Sequence, residues 1–442
     1  MPTASCDIVE EPPRRTPVRK VVDVLVVGGG SAGLAAAVTA ARLGASVLLV
    51  ERNGYLGGTL TMVTLGSICG LYAVEDDQLI PVVKGFAQEL IDRLASGGAA
   101  QPAVRWLETA SVPYDPSLFK IIADELVVGS GVSLMFHCLA VAALREGETV
   151  RGVIFEGRDG RWACKAQVVI DCTGDGDVAA LAGAAFELDA ELVQAPTSMF
   201  KFGGVDVEQA ASLTRPELHR CLEQAVSAGI PLPRTAGGAF NTQPGAMHLN
   251  ITRVLKDGRA PNPLDTDELT YAEIEGRRQI ATYLEAFRRY VPGYRDCFIA
   301  DIGNQIGLRE SRRIRGDYRL TLDDVQGLAR FDDAIACSAW PVEEHGAGRA
   351  TRWEFLPPGC YYQLPYRMLL PQGIEGLLVA GRCASASHDA HASMRVAAQC
   401  MALGEAAGTA AALAVDAGLT PRGVDAARLR RQLRAQNAFL GE

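Results

Sequence analysis

The sequence predicts an α/β fold with two lobes, in which the two ends of the chain build one lobe and the middle of the chain forms an inserted α+β lobe. Three observations predict this arrangement. A strand, a glycine-rich turn and an alanine-rich helix follow one another near the start. A second strand, loop and small-residue helix appear in the last third, and glycines become sparse between about residues 196 and 353. The 442 residues also exceed the size at which one core usually stops growing.

The composition is that of a folded chain, with 48% hydrophobic and 21% charged residues. The formal net charge is −9 and no long basic block is present, which argues against a nucleic-acid partner and for a small-molecule substrate. The eleven cysteines are scattered singly, without a CxxC pair or a Cys/His cluster at zinc spacing. We therefore expect reduced thiols, a cytoplasmic protein and no bound metal.

The first apolar run, from Val21 to Ala41, follows Arg14-Arg15 and superficially suggests a secretion signal or a membrane anchor. Asp23 and several glycines interrupt it, so the run is better explained by a buried strand that enters a tight turn and a helix. We expect no membrane partner. Residues 1–20, rich in Pro and Arg, are expected to form a flexible, solvated tail.

The glycine-rich turn predicts a Rossmann-like dinucleotide site. Gly28 permits the tight turn, Gly30 lets the backbone approach a pyrophosphate, and Gly33 lets the helix pack against the strand. The helix N-terminus then favours the anion. The next strand ends in Glu51, whose carboxylate can accept hydrogen bonds from a ribose diol. Glu51 disfavours a cofactor with a 2′-phosphate but does not separate NAD from FAD.

Three further segments carry a resemblance to a known family. They are the stretch VERNGYLGG at 50–58, the stretch DCTGDGD at 171–177, and the series of strand, loop and helix from Gly376 to Ala411. With them, the chain resembles the FAD-dependent oxidoreductases of a xanthan-lyase-associated type, which share a two-dinucleotide-binding-domain architecture with fumarate reductase flavoproteins. The resemblance extends from about Val21 to about Val415. It implies FAD as the cofactor.

The resemblance also implies a domain organisation. The FAD-binding domain is discontinuous, with a central parallel sheet, and occupies 21–195 and 356–442, while the cap or substrate domain occupies 196–355. A β-meander is expected over Val132 to Trp162, with Ala140 behind the adenine. The glycine-rich turn and the resemblance together predict the following cofactor-binding residues: Gly28, Gly30, Ser31, Ala32, Gly33, Glu51, Arg52, Gly57, Gly58, Thr59, Ala140, Thr173, Gly174, Asp175, Gly381, Arg382, Ser393, Met394, Arg395 and Val396.

Candidate catalytic residues are His388, His345, Arg395 and Arg309. His388 is the preferred base, because a histidine titrates near neutral pH and the family has histidine at this place, and His345 is the second choice. Arg395 and Arg382 could offset charge on reduced flavin or hold a substrate carboxylate.

Arg309 is predicted to share a helical face with Arg312 and Arg313, which would suit a carboxylate-bearing substrate. The alternative is a solvated face on which Glu310 pairs with Arg313.

The expected reaction is a two-electron oxidation of a small organic molecule, by hydride transfer to flavin, with oxygen or another compound as electron acceptor. One alternative is a flavin-dependent reductase or monooxygenase that tailors a natural product, and another is a non-catalytic protein that retains FAD. Two departures from the family pattern, His391-Ala392 and the Glu343-Glu344 pair, indicate a different substrate choice. The oligomeric state stays open, with a homo-oligomer among the alternatives.

Overall fold

The computed structural model describes residues 9–346 and 350–441. Within these ranges the strands are β1 Val18–Val27, β2 Val47–Val50, β3 Ser67–Cys69, β4 Tyr72–Glu75, β5 Gln78–Pro81, β6 Val104–Trp106, β7 Thr109–Pro113, β8 Ser133–Met135, β9 Leu139–Glu146, β10 Thr149–Gly157, β11 Gly160–Asp171, β12 Phe186–Glu187, β13 Phe200–Gly203, β14 Gly238–Gln243, β15 Ala246–Asn250, β16 Phe298–Ile302, β17 Arg313–Ile314, β18 Ala334–Ser338, β19 Val342–Glu344, β20 Arg352–Glu354, β21 Tyr362–Pro365 and β22 Leu377–Val379. The α-helices are α1 Ser31–Arg42, α2 Thr59–Met62, α3 Phe86–Ser96, α4 Pro116–Gly129, α5 Asp177–Leu181, α6 Val207–Ser212, α7 Arg215–Ser227, α8 Thr266–Tyr290, α9 Leu322–Gln326, α10 His388–Met394, α11 Ala397–Ala417 and α12 Ala426–Ala435. Short 3-10 helices cover Tyr366–Leu369 and Pro421–Gly423.

The larger lobe is built on a seven-stranded sheet in the order β8-β2-β1-β11-β10-β9, with β22 beside β11. β1 pairs in parallel with β2 and β11, and β2 pairs in parallel with β8. The end of β11 pairs in parallel with β22, so the last third of the chain completes the sheet that the first part begins. The predicted α/β fold with a largely parallel central sheet is confirmed.

The β-meander consists of β9, β10 and β11, which pair in antiparallel fashion. It therefore lies later in the chain than the predicted Val132 to Trp162. The difference arises because β8, at the start of that range, joins the parallel part of the sheet beside β2.

The predicted tail of residues 1–20 is wrong at its C-terminal end. Val18, Arg19 and Lys20 belong to β1, where Val18 pairs with Ala163 of β11. These three residues thus lie in β1 beside β11, although their side chains are exposed. Residues 1–8 of the predicted tail lie outside the described residues.

The cap lobe has a hydrophobic core of its own. Its four-stranded antiparallel sheet has the order β14-β15-β13-β16. Phe200 and Phe202 of β13 pack against Tyr283 and Phe287 of the 25-residue helix α8, and all four side chains are fully buried. This core supports the predicted insertion of a second lobe, while the boundaries at 195/196 and 355/356 stay predictions.

The prediction that Arg309, Arg312 and Arg313 share a helical face is wrong. The chain is irregular before the short strand β17, and the three side chains diverge. Arg309 donates to Ala195 O at 2.7 Å, whereas Arg312 donates to Asp177 at 2.9 Å. Arg313 forms an ion pair with Glu310, as the alternative interpretation of this segment expected, but that pair is buried rather than solvated.

Helix α11 packs against α1, the helix that follows the glycine-rich turn, and so fixes the position of that turn. A Cβ atom added to Gly404 would lie 2.1 Å from Ala32 O, and one added to Gly408 would lie 2.3 Å from Ala36 O. Only residues without a side chain allow this approach. Among the described residues α11 is the one helix long and apolar enough to cross a membrane, but 83% of that window is buried inside the protein, as in the core helix of a folded domain.

Candidate functional site

A cavity of about 840 Å³ lies between the glycine-rich loops of the larger lobe and the cap. Most of the predicted cofactor-binding residues line it: Gly28, Gly30, Ser31, Ala32, Glu51, Arg52, Gly58, Thr59, Thr173, Gly174, Asp175, Gly381, Arg382, Arg395 and Val396. The predicted catalytic residues Arg309 and His345 line it too. The structure thus brings the glycine-rich turn, the segments 50–58 and 171–177, and the segment from Gly376 to Ala411 together around one cavity.

The glycine-rich turn forms a bare backbone cradle at one end of this cavity. A Cβ atom on Gly28, whose φ is +98°, would lie 2.5 Å from Cys172 O, and one on Gly33 would lie 1.8 Å from Gly28 O. Gly30 precedes the first residue of α1, and a Cβ atom there would meet only Gly58 Cα, at 3.7 Å. The free N–H groups of the first turn of α1 therefore face open space, which fits a diphosphate.

Glu51 is held in place beside this cradle. Its Oε2 accepts a hydrogen bond from Gly29 N at 2.7 Å, and its Oε1 accepts one from Asn53 N at 2.8 Å. An ionised carboxylate has about four acceptor sites, so lone pairs stay free for a ribose diol. The carboxylate is 7% exposed and borders the cavity, as the predicted role requires.

Arg382, from the segment that begins at Gly376, is hydrogen-bonded to the segment 171–177. Its guanidinium donates to Asp175 Oδ1 at 2.7 Å and to Ser311 Oγ at 2.8 Å. Burial alone would raise the pKa of Asp175, but the positive charge of Arg382 and the Ser311 hydroxyl outweigh burial and hold that pKa below its usual value. Asp175 is therefore ionised and fixes Arg382 at the cavity wall.

Six predicted residues do not line the cavity: Gly33, Gly57, Ala140, Ser393, Met394 and His388. Gly33 and Gly57 instead allow close packing within the loops: a Cβ atom would lie 1.8 Å from Gly28 O at Gly33 and 2.5 Å from Thr61 at Gly57. Ala140 packs against the core beneath the meander. Ser393 and Met394 are fully buried inside α10, and Ser393 donates to Trp340 O. For Ala140, Ser393 and Met394 the structure thus shows packing positions rather than positions at the cavity.

His388, the preferred base, points away from the cavity. It is the first residue of α10, and its Nδ1 lies 3.0 Å from the Glu310 carboxylate. Burial would lower the pKa of His388, but the hydrogen bond to Glu310 and its negative charge raise that pKa. Because His388 is hydrogen-bonded to a carboxylate and does not line the cavity, it is poorly placed to accept a proton from a substrate there. The geometry favours the second choice, His345.

His345 belongs to a buried chain of hydrogen-bonding groups. Its Nε2 lies 2.9 Å from Glu343 Oε1, and its Nδ1 lies 3.2 Å from Thr351 Oγ1. Trp340 Nε1 donates to the other Glu343 oxygen at 3.1 Å. All four residues line the cavity. The network therefore offers an imidazole and a carboxylate at a single wall.

The charges of this network follow from its surroundings. Burial lowers the pKa of His345 to about 3, and the positive charge of Arg309 adds to the effect. Burial would raise the pKa of Glu343, but His345, Arg395 and Arg309 lower it. At neutral pH the pair is thus a neutral imidazole beside an ionised carboxylate, and the carboxylate can stabilise a proton that the imidazole takes up.

Seven of the described arginines line the cavity, and four of them lie close enough together for their charges to act on the pKa of Arg309: Arg234, Arg253, Arg395 and Arg309 itself. We call these four the arginine cluster. Arg253 and Arg309 are buried and the other two are half-buried. Within residues 9–346 and 350–441, none of the four has a carboxylate oxygen within 4.0 Å of its guanidinium. The cluster thus concentrates positive charge without a direct ion pair, and the charge of nearby Glu343 offsets only part of it.

The partners of the arginine cluster are neutral. Arg309 donates to Ala195 O at 2.7 Å, Arg395 donates to Gln194 Oε1 at 3.1 Å, and Arg253 donates to Thr351 Oγ1 at 3.3 Å. Burial lowers the pKa of Arg234 to about 10, with Arg253 contributing, and it lowers the pKa of Arg309 well below the usual value. Each guanidinium would gain from an anion in the cavity.

The sequence did not identify Arg234, Arg253, Glu343 or Thr351 as site residues. Each stands alone in a stretch without a motif, and the fold of the cap brings them together. The one signal in the sequence is the departure from the family pattern at Glu343-Glu344, which indicates a different substrate choice but assigns no role to either residue. No group of three or more His, Cys, Asp or Glu residues among the described residues is placed to hold a metal ion.

Comparisons with known proteins place the chain among flavoenzymes. The family model described as FAD dependent oxidoreductase matches residues 23–433. A 43-residue segment, 10% of this chain and 9% of the relative, is 60% identical to glutathione reductase of Schizosaccharomyces pombe. A 189-residue segment, 35% of this chain and 33% of the relative, is 25% identical to fumarate reductase (cytochrome) of Shewanella frigidimarina. The chain therefore spans less than two thirds of the length of these curated relatives.

Among solved structures, the flavin-dependent brominase Bmp2 matches with a TM-score of 0.49 and 14% sequence identity, over 95% of this chain and 84% of that chain. The family assignment rests on the family model, which matches most of the chain and the segments that build the cavity. The chain belongs to the FAD dependent oxidoreductase family, which assigns FAD as its cofactor.

Proposed function

We propose that this protein oxidises a small, carboxylate-bearing organic substrate by two electrons. The observation that carries the proposal is the arginine cluster: its four positive charges have neutral hydrogen-bonding partners and no direct ion pair among the described residues, and Glu343 is the one cavity-lining carboxylate near them that acts on Arg309 and Arg395. Buried charges without counter-ions are costly unless a ligand supplies the opposite charge. A substrate carboxylate would accept charge-assisted hydrogen bonds from this cluster and be oriented by them.

The bare backbone at Gly28, Gly30 and Gly58 would hold the diphosphate of FAD, and Glu51 would accept hydrogen bonds from its ribose. Arg382, fixed by Asp175, and the N-terminus of α11 at Ala397 would place positive charge at the cavity wall. Bound FAD would supply the two-electron redox chemistry that no side chain provides.

His345 is proposed as the base. Its imidazole is neutral at neutral pH and it lines the cavity, so it can take the proton that a substrate O–H or N–H group loses during oxidation. Glu343 would stabilise the resulting imidazolium through the 2.9 Å contact, and Thr351 would hold the ring in its orientation. His388 is proposed as a positioning residue, because it holds Glu310 at the start of α10.

A comparison of His345→Gln with His388→Gln tests these assignments. Loss of a general base costs about 10²- to 10⁴-fold in rate, so we expect His345→Gln to slow flavin reduction by at least about 100-fold. His388→Gln should retain most of the rate. The measurement is the anaerobic bleaching of flavin absorbance by a panel of hydroxy and amino carboxylates and of neutral alcohols and amines that lack the carboxylate.

Three outcomes of this panel would contradict the proposal. A fully active His345→Gln variant would remove His345 as the base. If only neutral alcohols or amines bleached the flavin, the substrate would not be a carboxylate. A flavin that binds and is never reduced by any substrate, with consumption of NADPH and oxygen instead, would indicate a monooxygenase or reductase.

A further inference from the structure

The cavity has an aromatic side opposite in character to the arginine cluster. The chain contains four tryptophans, and three of them, Trp106, Trp340 and Trp353, line the cavity. We call these three the tryptophan wall. The fourth, Trp162, is buried in the core of the meander, where it stacks on Phe155 at 4.8 Å between ring centroids. The tryptophans are thus concentrated at the site.

The members of the tryptophan wall touch one another in sequence. The ring centroids of Trp340 and Trp353 are 6.5 Å apart, and those of Trp353 and Trp106 are 5.1 Å apart. The outer end is held by Arg215, whose guanidinium lies 4.6 Å from the Trp106 ring centroid. The wall is therefore a connected aromatic surface rather than three isolated side chains.

The inner end of the wall adjoins the proposed base. Trp340 is 3% exposed, and its indole N–H donates to Glu343, the partner of His345. Trp353 is backed by Phe355, which lies parallel to it at 5.7 Å and does not line the cavity. These supports hold the indole rings in place, so a planar group that binds there would lose little side-chain freedom on the protein side.

Resting on the proposed carboxylate-bearing substrate, we propose that the tryptophan wall binds the planar body of that substrate, which is therefore an aromatic carboxylate. The arginine cluster takes the anionic group and the wall takes the ring. Aromatic pairs gain from edge-to-face and offset-stacked contacts beyond the burial of apolar area. A saturated ring of similar size buries a comparable area but lacks these contacts.

The test compares 3-phenylpropionate with 3-cyclohexylpropionate on the FAD-loaded protein. The two probes share their charge and chain length and differ in the planarity of the ring. Binding is followed by perturbation of the flavin absorbance spectrum and by the rise in melting temperature. We expect 3-phenylpropionate to bind about three- to tenfold more tightly. Equal binding, or tighter binding of the saturated probe, would overturn the aromatic assignment and leave the carboxylate proposal intact.

Variants separate the tryptophan wall from the rest of the chain. Trp353→Leu should abolish the preference for the phenyl probe, and Trp106→Leu should reduce it, while Trp162→Phe serves as a control outside the cavity and should keep it. A Trp353→Leu variant with normal FAD content and an unchanged preference would overturn the inference. So would a variant that loses FAD while its binding ratio is unchanged, since the wall would then serve the cofactor. Failure of both probes to bind the wild-type protein would reject the carboxylate proposal itself.

Discussion

Arg309 carries a buried positive charge whose hydrogen-bonding partner is neutral. It is 8% exposed, it is bonded to a carbonyl oxygen, and neighbouring guanidinium groups depress its pKa further after burial. Each buried charge costs several kcal/mol, roughly, unless hydrogen bonds and a counter-charge compensate. A chain that keeps two buried and two half-buried guanidinium groups around one cavity is arranged to bind an anion, and anion binding explains the cluster better than stability does.

Arg234→Gln should weaken binding of 3-phenylpropionate. Among the residues that the structure describes, none forms a hydrogen bond or ion pair with the Arg234 guanidinium, and Arg234 lines the cavity. Hydrogen bonds to charged groups contribute about 1.5–3 kcal/mol, so we expect the dissociation constant to rise about 10- to 100-fold. Titration of the flavin spectrum provides the measurement. Arg220→Gln on the exposed surface of α7 is the matched control and should leave binding unchanged. Equal effects of both changes would show that the loss is non-specific.

His345 predicts a dependence of stability on pH. Its pKa falls from the ordinary 6.5 to about 3 on folding, so the unfolded chain binds the proton more readily. The contribution of His345 is complete above pH 6.5 and is lost progressively as the pH falls toward 3. Between pH 7.5 and 5.5 the free energy of unfolding should drop by about 1.4 kcal/mol through this group.

Urea unfolding of wild type and His345→Gln at the two pH values isolates this contribution, because His248 and His391 titrate in both proteins. The difference in stability between the two proteins should narrow on acidification. A difference that is constant with pH would show that His345 keeps an ordinary pKa in the folded protein.

At the scale of elements, the contact between α1 and α11 positions the cofactor cradle. Gly404 and Gly408 bring the two helix backbones together, and α11 begins at the cavity while α1 begins at the glycine-rich turn. A shift of one helix against the other would therefore change the position of both helix N-termini at the cavity. Such close approach requires small residues at the crossing.

Gly404→Ala should destabilise the protein and reduce its FAD content. The added methyl group would lie 2.1 Å from Ala32 O, which belongs to the backbone and has little room to move. Overpacking of this kind costs about 1–3 kcal/mol. Gly129→Ala is the control, because a Cβ atom at this last residue of α4 meets nothing within 4 Å. Urea unfolding and the ratio of flavin to protein absorbance are the measurements. Equal stability of the two variants would contradict the packing argument.

At the scale of the whole molecule, FAD would occupy the space between the two ends of the chain and the cap. A ligand that binds only the folded state stabilises it by RT ln(1 + [L]/Kd), about 2.7 kcal/mol at 100 times Kd. We expect the melting temperature of the deflavinated protein to rise steadily with added FAD. Differential scanning calorimetry over a 100-fold range of FAD concentration measures this.

Gly30→Val provides the specific control for this linkage. A Cβ atom at Gly30 would meet only Gly58 Cα at 3.7 Å, so the apoprotein should fold with a stability within about 1 kcal/mol of wild type. The side chain would instead fill the approach of the diphosphate, and added FAD should no longer raise the melting temperature. A normal response of Gly30→Val to FAD would show that the cofactor binds elsewhere.

The extent of prediction from sequence differed between the two parts of the site. The local geometry at Gly28, Gly33 and Glu51 could be predicted, because strand, turn, helix and acid follow one another within a short segment whose conformation is local, while their roles in cofactor binding stay predictions. Arg309 was placed on a helix that does not exist, since its spacing to Arg312 fits a helix but tertiary contacts hold the chain in an irregular path. His388 was ranked above His345 because the sequence shows which residues titrate and not which way they point.

The sequence by itself determined the α/β class, the dinucleotide cradle and the motif segments that return to it, because glycine geometry and apolar periodicity act over short stretches of chain. Only the tertiary structure decided that Arg234, Arg253, Arg309 and Arg395 share a cavity with Glu343. Those side chains come from distant parts of the chain, and it is the packing of the cap core on the larger lobe that brings their charges together.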